Sequence, residues 1–478
     1  MKKKLLASVI AAGLGFAGAA QAVYVNSDGT GQVLLYPYYT VQQTENGQWD
    51  TYVHIVNTTD QAKAVKVRVL EGMNSQEVLD FNLYLSPQDV WTGVIVRTAQ
   101  GAALRTSDTS CTVGDIVGRP NSQVDFRNFL FDVAGETQRG LDRTREGYIE
   151  VIEMGELRGA LAAAATHGAN GRPTNCAAIR AEAINGNSDL NNRSSNTVID
   201  TPTGGLYGFS TLINVEEGRA TTVDAVALDG FFESGGVRHL HYEPGDELPS
   251  LTQVNTDAIV FRNGAAVTYG LGTGRTTQVD AVSAVLTHAA VANDYMVEDA
   301  VLGQTDWVIT FPTKRFYVNG ASAPLAPFTT RWTGANRSCD EVGITIYNRE
   351  EAFATVDPEE FSPRPPAGAA ITLCNEVNTI TFNRTRENGA ESGSVFAPIF
   401  TAGTFAVPEG FQNGWAQVRF TNAQLPVTRD PNGTSSQEDL SGLPVIGFSA
   451  MSYTNGVRNG GSVLRNYLGS SVLKGIND

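Results

Sequence analysis

The chain has 478 residues, and its 50 acidic residues outnumber its 34 Lys and Arg residues to give a formal net charge of −16 at pH 7. This balance argues against nucleic-acid binding and against docking on anionic lipid, since both need a basic surface. Hydrophobic residues make up 41% of the chain, enough to fill sizeable cores, so the composition also argues against a disordered protein.

The first 22 residues have the pattern of a cleavable secretory signal. Three lysines at positions 2–4 precede an uncharged run that ends at Ala20, and Ala20-Gln21-Ala22 supplies the small residues that a signal peptidase requires. The run is short and contains three glycines, so we expect cleavage after Ala22 and not a membrane anchor. No later stretch is long and apolar enough for a transmembrane helix, so none is expected after cleavage. The sequence therefore predicts an exported protein, extracellular or at the cell surface, with the periplasm as the alternative.

The region after the signal alternates between apolar and polar residues. Val65, Val67 and Val69 face one way, and Lys66 and Arg68 face the other. Similar runs at 52–56, 81–85 and 91–96 are separated by turn-forming clusters, which indicates antiparallel strands. Short strands at this spacing are typical of a β-sandwich.

A small helical insertion is predicted near 154–186. Residues 156–167 are rich in Leu and Ala, and Gly168 is a candidate helix end. Thr174 or Asn175 can cap a second helix over 176–184, and residues 185–196 have the composition of an exposed loop.

Strand patterns return after this insertion and continue to the end of the chain. They cover 206–215, 222–232, 258–261, 266–269, 277–282, 307–311, 315–318, 344–347, 371–373, 379–382, 415–420 and 445–449. The stretch 280–301 is ambiguous between helix and loop, and the prolines in 361–366 predict a rigid loop. We therefore predict a mainly β protein with two β-sandwich-like domains, at 23–235 and 236–478, and a small helical insertion in the first half.

Four cysteines follow the signal. An even number of cysteines in an exported chain predicts two disulfides, although four cysteines allow three pairings. We favour Cys111–Cys176 and Cys339–Cys374, because each pair then lies within one half of the chain. A zinc site is a weaker alternative, since the close Cys-x-x-Cys spacing is absent.

Three short segments recur in the two halves. Residues 110–114 resemble 338–343, residues 147–151 resemble 414–418, and residues 205–210 resemble 442–449. Their separations differ, so an internal duplication with insertions and a chance similarity of glycine-rich strands both remain open.

One histidine cluster is a candidate metal site. On a strand, His239, His241 and Glu243 would point to one face and could share zinc or copper. The alternative is a polar strand face that leads into the turn at 244–246. The chain contains no nucleophile elbow, phosphate loop or HExxH motif, which favours a non-enzymatic role without settling it.

Two acidic loops are candidates for calcium binding. Their oxygen-bearing residues are Asn26, Asp28, Asp430, Asn432, Glu438 and Asp439. Neither loop has EF-hand spacing, and such clusters also form ordinary turns.

These features favour a structural or interaction protein of the bacterial cell exterior, such as a surface-layer, matrix, filament or adhesive component. Its partners would be further copies of itself or other cell-surface components, bound through sandwich edges or loops, with calcium as a candidate bridge. A β-sandwich that binds carbohydrate or another small ligand, including an exported hydrolase, is the first alternative. A periplasmic metal-handling protein, which rests on His239 and His241, is the second.

Overall fold

The structure is a computed structural model that describes residues 22–477, except 115–121, 234, 254, 263, 271–277, 321, 335–336, 357–370, 430–435 and 459–462. The predicted signal up to residue 21 and the proline-rich loop at 361–366 lie outside the described residues. The fold is mainly β, as predicted, with several antiparallel sheets and few helices.

The first half of the chain forms two sheets. Its strands are β1 (Tyr24–Val25), β2 (Val33–Thr40), β3 (Asp50–Asn57), β4 (Lys63–Glu71), β5 (Glu77–Leu85), β6 (Val90–Arg97), β7 (Ala102–Thr106), β8 (Cys111–Gly114), β9 (Ser122–Asp125), β10 (Glu146–Leu157), β11 (Ile199–Asp200), β12 (Leu206–Asn214), β13 (Arg219–Asp224) and β14 (Val226–Asp229). Sheet 1 has the order β13-β12-β3-β6-β7-β9, and sheet 2 has the order β1-β14-β2-β10-β4-β5-β8, with β11 beside β10. The two sheets enclose a core that includes Ile55, Val67, Trp91 and Ile149.

The second half begins with a hairpin and a helix and then forms two more sheets. Its strands are β15 (Asp257–Arg262), β16 (Ala265–Gly270), β17 (Thr287–His288), β18 (Ala290–Met296), β19 (Gln304–Thr310), β20 (Asp340–Asn348), β21 (Phe353–Val356), β22 (Ile371–Leu373), β23 (Val377–Asn383), β24 (Ala402–Ala406), β25 (Asn413–Arg419), β26 (Gln424–Arg429), β27 (Ser436–Ser441), β28 (Leu443–Pro444), β29 (Ile446–Arg458), β30 (Val463–Val472) and β31 (Lys474–Ile476). Sheet 3 has the order β24-β23-β19-β29-β30, and sheet 4 has the order β21-β20-β25-β18-β31, with β22 also beside β20. Strands β15, β16, β26 and β27 form a separate four-stranded sheet.

The two halves share one topology. In chain order, β2, β3, β4, β5, β6, β7, β10, β12, β13 and β14 correspond to β18, β19, β20, β21, β23, β24, β25, β29, β30 and β31. With this correspondence sheet 1 has the strand order of sheet 3, and sheet 2 has that of sheet 4. One pairing differs, because β6 and β7 are antiparallel whereas β23 and β24 are parallel.

Two of the three recurrent segments lie on corresponding strands, and their glycines have the same steric role. A β-carbon on Gly147 of β10 would collide with the carbonyl of Leu70, and one on Gly414 of β25 would collide with that of Tyr347. Gly208 and Gly447 are likewise close to a carbonyl of the neighbouring strand. Such close backbone approach requires glycine. The cysteine segments do not correspond, because Cys111 is on β8 and Cys339 directly precedes β20. The topology and the glycines together support an internal repeat.

The four sheets pack face to face in the order 1, 2, 3, 4, and the edge strands β13 of sheet 1 and β30 of sheet 3 also meet, where the Thr221 hydroxyl donates to that of Ser470 at 2.8 Å. The face of sheet 2 that points away from sheet 1 contacts the face of sheet 3 that points away from sheet 4. Tyr38, Leu70 and Tyr148 from sheet 2 pack there in one apolar cluster with Val308 and Phe448 from sheet 3. Sheet 2 is therefore covered on both faces. The predicted boundary at residue 235 falls between β14 and β15, and the division into two domains stays a prediction.

The helical insertion is confirmed. Helices α1 (Gly159–Ala165) and α2 (Cys176–Ala183) follow β10, and the Asn175 side chain caps α2 by accepting the Ala178 N–H at 3.1 Å. Helix α1 ends before Gly168 because the chain already turns into extended backbone at Thr166.

Two strand predictions in the second half are wrong. Residues 315–318 form the one-turn helix α4 (Arg315–Val318), and α3 (Asp280–Leu286) takes the place of the described end of the strand predicted over 277–282. Helix was one of the two interpretations of 280–301, and α3 confirms it for 280–286, whereas β17 and β18 occupy positions in that stretch for which no strand was predicted. Helix α3 is buried along its whole length, so its apolar residues show no helical stripe. Single 3₁₀ turns occur at Leu141–Arg145 and Asp299–Val301.

Both disulfides have the favoured pairing. Cys111–Cys176 joins β8 to α2, and Cys339–Cys374 joins the residue before β20 to the residue after β22. Among the described residues, no helix has the length and apolarity needed to cross a membrane.

Candidate functional site

The contact between sheets 2 and 3 contains a buried ionic cluster. Arg143 donates from Nε and Nη2 to the two carboxylate oxygens of Glu71, at 2.7 and 3.0 Å, and neither side chain is exposed to solvent. Glu71 also accepts the backbone N–H groups of Met73, Asn74 and Gln76 at 2.8 to 3.0 Å, which holds the β4–β5 turn. Burial alone would lower the pKa of Arg143, but the neighbouring Glu71 and Glu136 carboxylates outweigh burial and raise this pKa above its ordinary value. This pair is a closed, charge-assisted contact.

Glu150 on β10 links the two halves. It accepts from Arg68 at 3.1 Å and from Nη2 of Arg315 at 3.2 Å to each oxygen. Arg315 belongs to the second half, so this carboxylate crosses the contact between sheets 2 and 3. The same strand carries Glu146, which accepts from the backbone N–H groups of Ile399 and Phe400 at 3.2 and 2.9 Å.

Glu376 is the exception in this cluster. Its backbone N–H donates to the Met73 carbonyl, and the next residue, Val377, donates to the Gly72 carbonyl, so the backbone here also joins the halves. The Glu376 carboxylate is buried, and neither oxygen has a hydrogen-bond partner among the described residues. Burial raises the pKa of this carboxyl to about 8, although the nearby Lys314 opposes that shift. Because the group is closed off from solvent, its ionisation affects the stability of the folded chain.

The histidine cluster has a different geometry from the predicted one. Residues 239–243 form no strand, so the premise that their side chains share a strand face is wrong. His241 is fully buried, with Nε2 2.9 Å from the Tyr84 hydroxyl and Nδ1 2.8 Å from Oδ1 of Asn191. Burial lowers the pKa of His239 to about 4 and that of His241 to about 3.

This arrangement leaves little room for a metal ion. Within the described residues, no group of three or more His, Cys, Asp and Glu is placed to hold one. Glu243 contributes its backbone carbonyl and not its carboxylate near the histidines, and this carbonyl accepts a hydrogen bond from Lys66 at 3.3 Å. An ion at His241 would have to displace Tyr84 or Asn191. Metal binding at His239 and His241 stays a prediction.

The candidate calcium-binding residues that the structure describes contact other protein groups, and these groups differ between the two loops. Asn26 accepts the Asp28 N–H at 3.0 Å and donates to the Thr30 carbonyl at 2.7 Å, which is a turn-forming use of these groups. Glu438 and Asp439 are on β27, and Glu438 accepts from Arg262 at 3.3 Å. Asp430 and Asn432 lie outside the described residues. Calcium binding at either loop stays a prediction.

The two outermost sheets present aromatic faces to solvent. End face 1 is the outward side of sheet 1, formed by Tyr52, His54, Val90, Thr92, Tyr207 and Phe209. Tyr52, Val90 and Tyr207 are 43, 48 and 38% exposed, and the rings of His54 and Phe209 stack at 4.3 Å. A hollow of about 460 Å³ lies on this face between Tyr52 and Arg105.

End face 4 is the outward side of sheet 4, formed by Thr345, Tyr347, Phe353, Trp415 and Gln417. Phe353, Tyr347 and Trp415 form one row across β21, β20 and β25. The Tyr347 and Trp415 rings stack at 4.2 Å, and Phe353 is 68% exposed. Exposed apolar groups concentrated on one sheet face are characteristic of an interaction surface.

Alternation indicated that these strands have outward side chains, but it could not identify the end faces. His54 on β3 lies on end face 1 and is partly exposed. Lys66 and Arg68 also point away from the core of their sheet pair, yet both are buried. Only the order of the sheets separates an exposed outward face from a covered one.

Comparisons with protein-family profiles, with curated proteins and with solved structures found no match to this chain. The functional argument therefore rests on the residues and their geometry.

Proposed function

We propose that this chain is an exported, non-enzymatic structural or interaction protein of the bacterial cell exterior. The observation that carries the proposal is the pair of aromatic end faces on a stack of four sheets. Soluble proteins rarely expose aromatic rows on sheet faces unless another molecule covers them. Tyrosine and tryptophan are also the residues most enriched where protein surfaces bind.

The buried polar groups support a structural role. The Arg143–Glu71 pair, the Arg315–Glu150 contact and the Glu146 contacts all serve the junction between sheets 2 and 3. The Glu150 and Glu146 contacts join the halves directly, and the Arg143–Glu71 pair holds the β4–β5 turn to which the second half is hydrogen-bonded. The two disulfides and the signal pattern agree with export to an oxidising compartment.

Cell fractionation tests the export and the surface role. We expect the full chain to lose its signal, to begin at Val23 and to be degraded by protease added to intact cells. An Ala20→Arg variant, which blocks the cleavage site, should keep its signal. An unprocessed protein in the cytoplasm would overturn the proposal.

A second measurement tests the end faces themselves. A Tyr347→Ala/Trp415→Ala variant should leave the cell-bound fraction for the medium, because it lacks the exposed aromatic row. Ile184→Ala is a matched control, since Ile184 is 60% exposed but lies on neither end face. Equal retention of both variants would count against the interaction role of end face 4.

A groove on the first half favours small-ligand binding as a second candidate. It has a volume of about 480 Å³ and brings Phe129 together with Glu77, Asp80 and Glu247. Glu77 is already bonded to Arg68 at 2.6 Å, and Asp80 is paired with Lys66, so two of these carboxylates are held by cations and are poorly placed for acid–base catalysis. A glycan array probed with the protein and with a Phe129→Ala variant would detect such binding. Binding of one glycan class that Phe129→Ala abolishes would establish the groove as a ligand site, whereas no binding would remove this candidate.

A further inference from the structure

Because the two halves share a topology, each end face has a counterpart among the sheet surfaces inside the molecule. Sheet 2 corresponds to sheet 4, and sheet 1 corresponds to sheet 3. Inside the molecule, the outward side of sheet 2 is covered by the outward side of sheet 3. End face 4 is thus the counterpart of a covered sheet-2 surface, and end face 1 is the counterpart of the sheet-3 surface that covers it.

The strand registers match positions on end face 1 with positions on the sheet-3 surface, residue by residue. Phe209 pairs with His54 on β3, as Phe448 pairs with Val308 on β19. Phe448 is buried against sheet 2, whereas Phe209 is only half-buried.

The next row gives the same result. Tyr207, Val56 and Val90 are aligned across sheet 1 as Ile446, Thr310 and Val377 are aligned across sheet 3. Val377 is fully buried in the internal contact, whereas Val90 is 48% exposed. End face 1 therefore carries apolar side chains at positions that are covered in its counterpart.

End face 4 matches the sheet-2 surface in the same way. Tyr148 pairs with Leu70, and both are buried in the internal contact. The corresponding pair is Trp415 and Tyr347, and each pair follows a glycine that lies against the neighbouring carbonyl. Trp415 is 40% exposed.

We propose that copies of this chain assemble head to tail, with end face 4 of one molecule docked on end face 1 of the next. This inference rests on the proposed function and names its partner as a second copy of the chain. The contact would repeat the packing of sheet 2 on sheet 3, so the stack of sheets continues from molecule to molecule. Because the two faces differ, the interface is heterologous and leads to a ring or a filament.

The charge of the chain predicts how salt affects this assembly. Each molecule carries a formal charge of −16, and −19 after the three signal lysines are removed. Copies repel one another at low ionic strength, and salt screens that repulsion. Assembly through apolar faces should therefore increase between about 20 mM and about 300 mM salt, where the Debye length falls well below the molecular size.

Sedimentation analysis of the full exported chain and of two face variants tests the proposal. Phe209→Glu places a charge on end face 1, and Trp415→Glu places one on end face 4. Each variant should bind itself about thirtyfold more weakly than the parent chain, as expected for the loss of a central aromatic contact. An equimolar mixture should form a one-to-one dimer, because one partner keeps end face 4 and the other keeps end face 1.

The outcomes separate this proposal from its alternatives. A monomeric parent chain at high concentration and salt would overturn it, and so would either variant alone forming a stable dimer, since that requires like faces to meet. Ile184→Glu should assemble like the parent, and unchanged thermal unfolding of the variants would exclude misfolding. A monomer that is still exported and still degraded by protease added to intact cells would overturn self-assembly alone and leave the proposed function standing.

Discussion

At the scale of single residues, the partners of the buried charges decide their effect on stability. Glu71 and Glu376 lie in the same contact between sheets 2 and 3, and both are buried. Glu71 has a guanidinium and three backbone N–H groups as donors, whereas the Glu376 carboxylate has no hydrogen-bond partner among the described residues. A buried charge without donors is costly, and a paired one is costly to separate from its partner.

Glu376 should make the protein less stable as the pH rises. Its pKa is about 8 in the folded chain, against an ordinary value of 4.5. Between these values the folded state holds a proton that the unfolded state has released, so the free energy of unfolding falls with increasing pH across this window. Glu376→Gln removes the titration and should stabilise the protein by about 1–3 kcal/mol at pH 9, with little change near pH 4.5. Urea denaturation at the two pH values measures the difference.

Glu71→Gln is the matched control for this prediction. It should destabilise the protein at both pH values, by about 3–5 kcal/mol, because the buried Arg143 would lose its two-point charged partner and keep only Glu136, at 3.1 Å, as a counter-charge. If Glu376→Gln destabilised the protein as much as Glu71→Gln at pH 9, Glu376 would have a partner that the geometry does not show.

At the scale of elements, the helical insertion is tied to sheet 2 by one disulfide and one small apolar cluster. Helices α1 and α2 pack on β8 and β10 through a small apolar cluster that contains Leu161, Ile179 and Tyr84. The Cys111–Cys176 disulfide joins α2 to β8, which is a short strand at the edge of sheet 2. A small cluster at a sheet edge opens more easily than a core between two sheets.

Loss of this disulfide should therefore release the helices first. A Cys111→Ser/Cys176→Ser variant should lose about 2–5 kcal/mol of stability and should become sensitive to limited proteolysis within 158–198. The Cys339→Ser/Cys374→Ser variant is the control, because that disulfide lies beside β20 and β22 in the second half. Equal protection of 158–198 in both variants would show that the apolar cluster alone holds the insertion.

At the scale of the whole molecule, the contact between sheets 2 and 3 makes the two halves depend on each other. Phe448 packs near Tyr38 and Phe396 in this contact, with ring centroids 6.4 and 6.1 Å apart. Backbone hydrogen bonds from Glu376 and Val377 to the β4–β5 turn cross it as well. The halves should accordingly unfold in one transition.

Phe448 and Phe209 offer a comparison of corresponding positions. Phe448→Ala removes a buried ring and should cost about 3–5 kcal/mol and separate the single calorimetric transition into two. Phe209→Ala removes the corresponding ring from end face 1 and should cost about 1 kcal/mol or less. Similar losses for both variants, measured by calorimetry on dilute protein, would contradict the assignment of one face as covered and the other as open.

Local patterns were sufficient for many elements of this fold. Period-two alternation located most strands, Asn175 marked the start of α2, and the cysteine spacing favoured the pairing that the structure has. They failed where an element is a single turn, as in α4, and they left 280–301 open between helix and loop, because α3 is buried on all sides and has no polar face to mark it as a helix. They also placed His239 and His241 on a strand, although both lie in a loop, where His239 contacts the Asn192 carbonyl and His241 contacts Asn191 and Tyr84.

The sequence by itself determined the β character, the helical insertion and the disulfide framework, because these depend on neighbours along the chain or on simple counts. The tertiary structure alone decided which outward faces are covered. Lys66 and Trp415 are both outward on their strands, yet Lys66 is fully buried and Trp415 is 40% exposed. The difference comes from the stacking order of the sheets, which is set by contacts between residues more than two hundred positions apart, such as Tyr38 with Phe448.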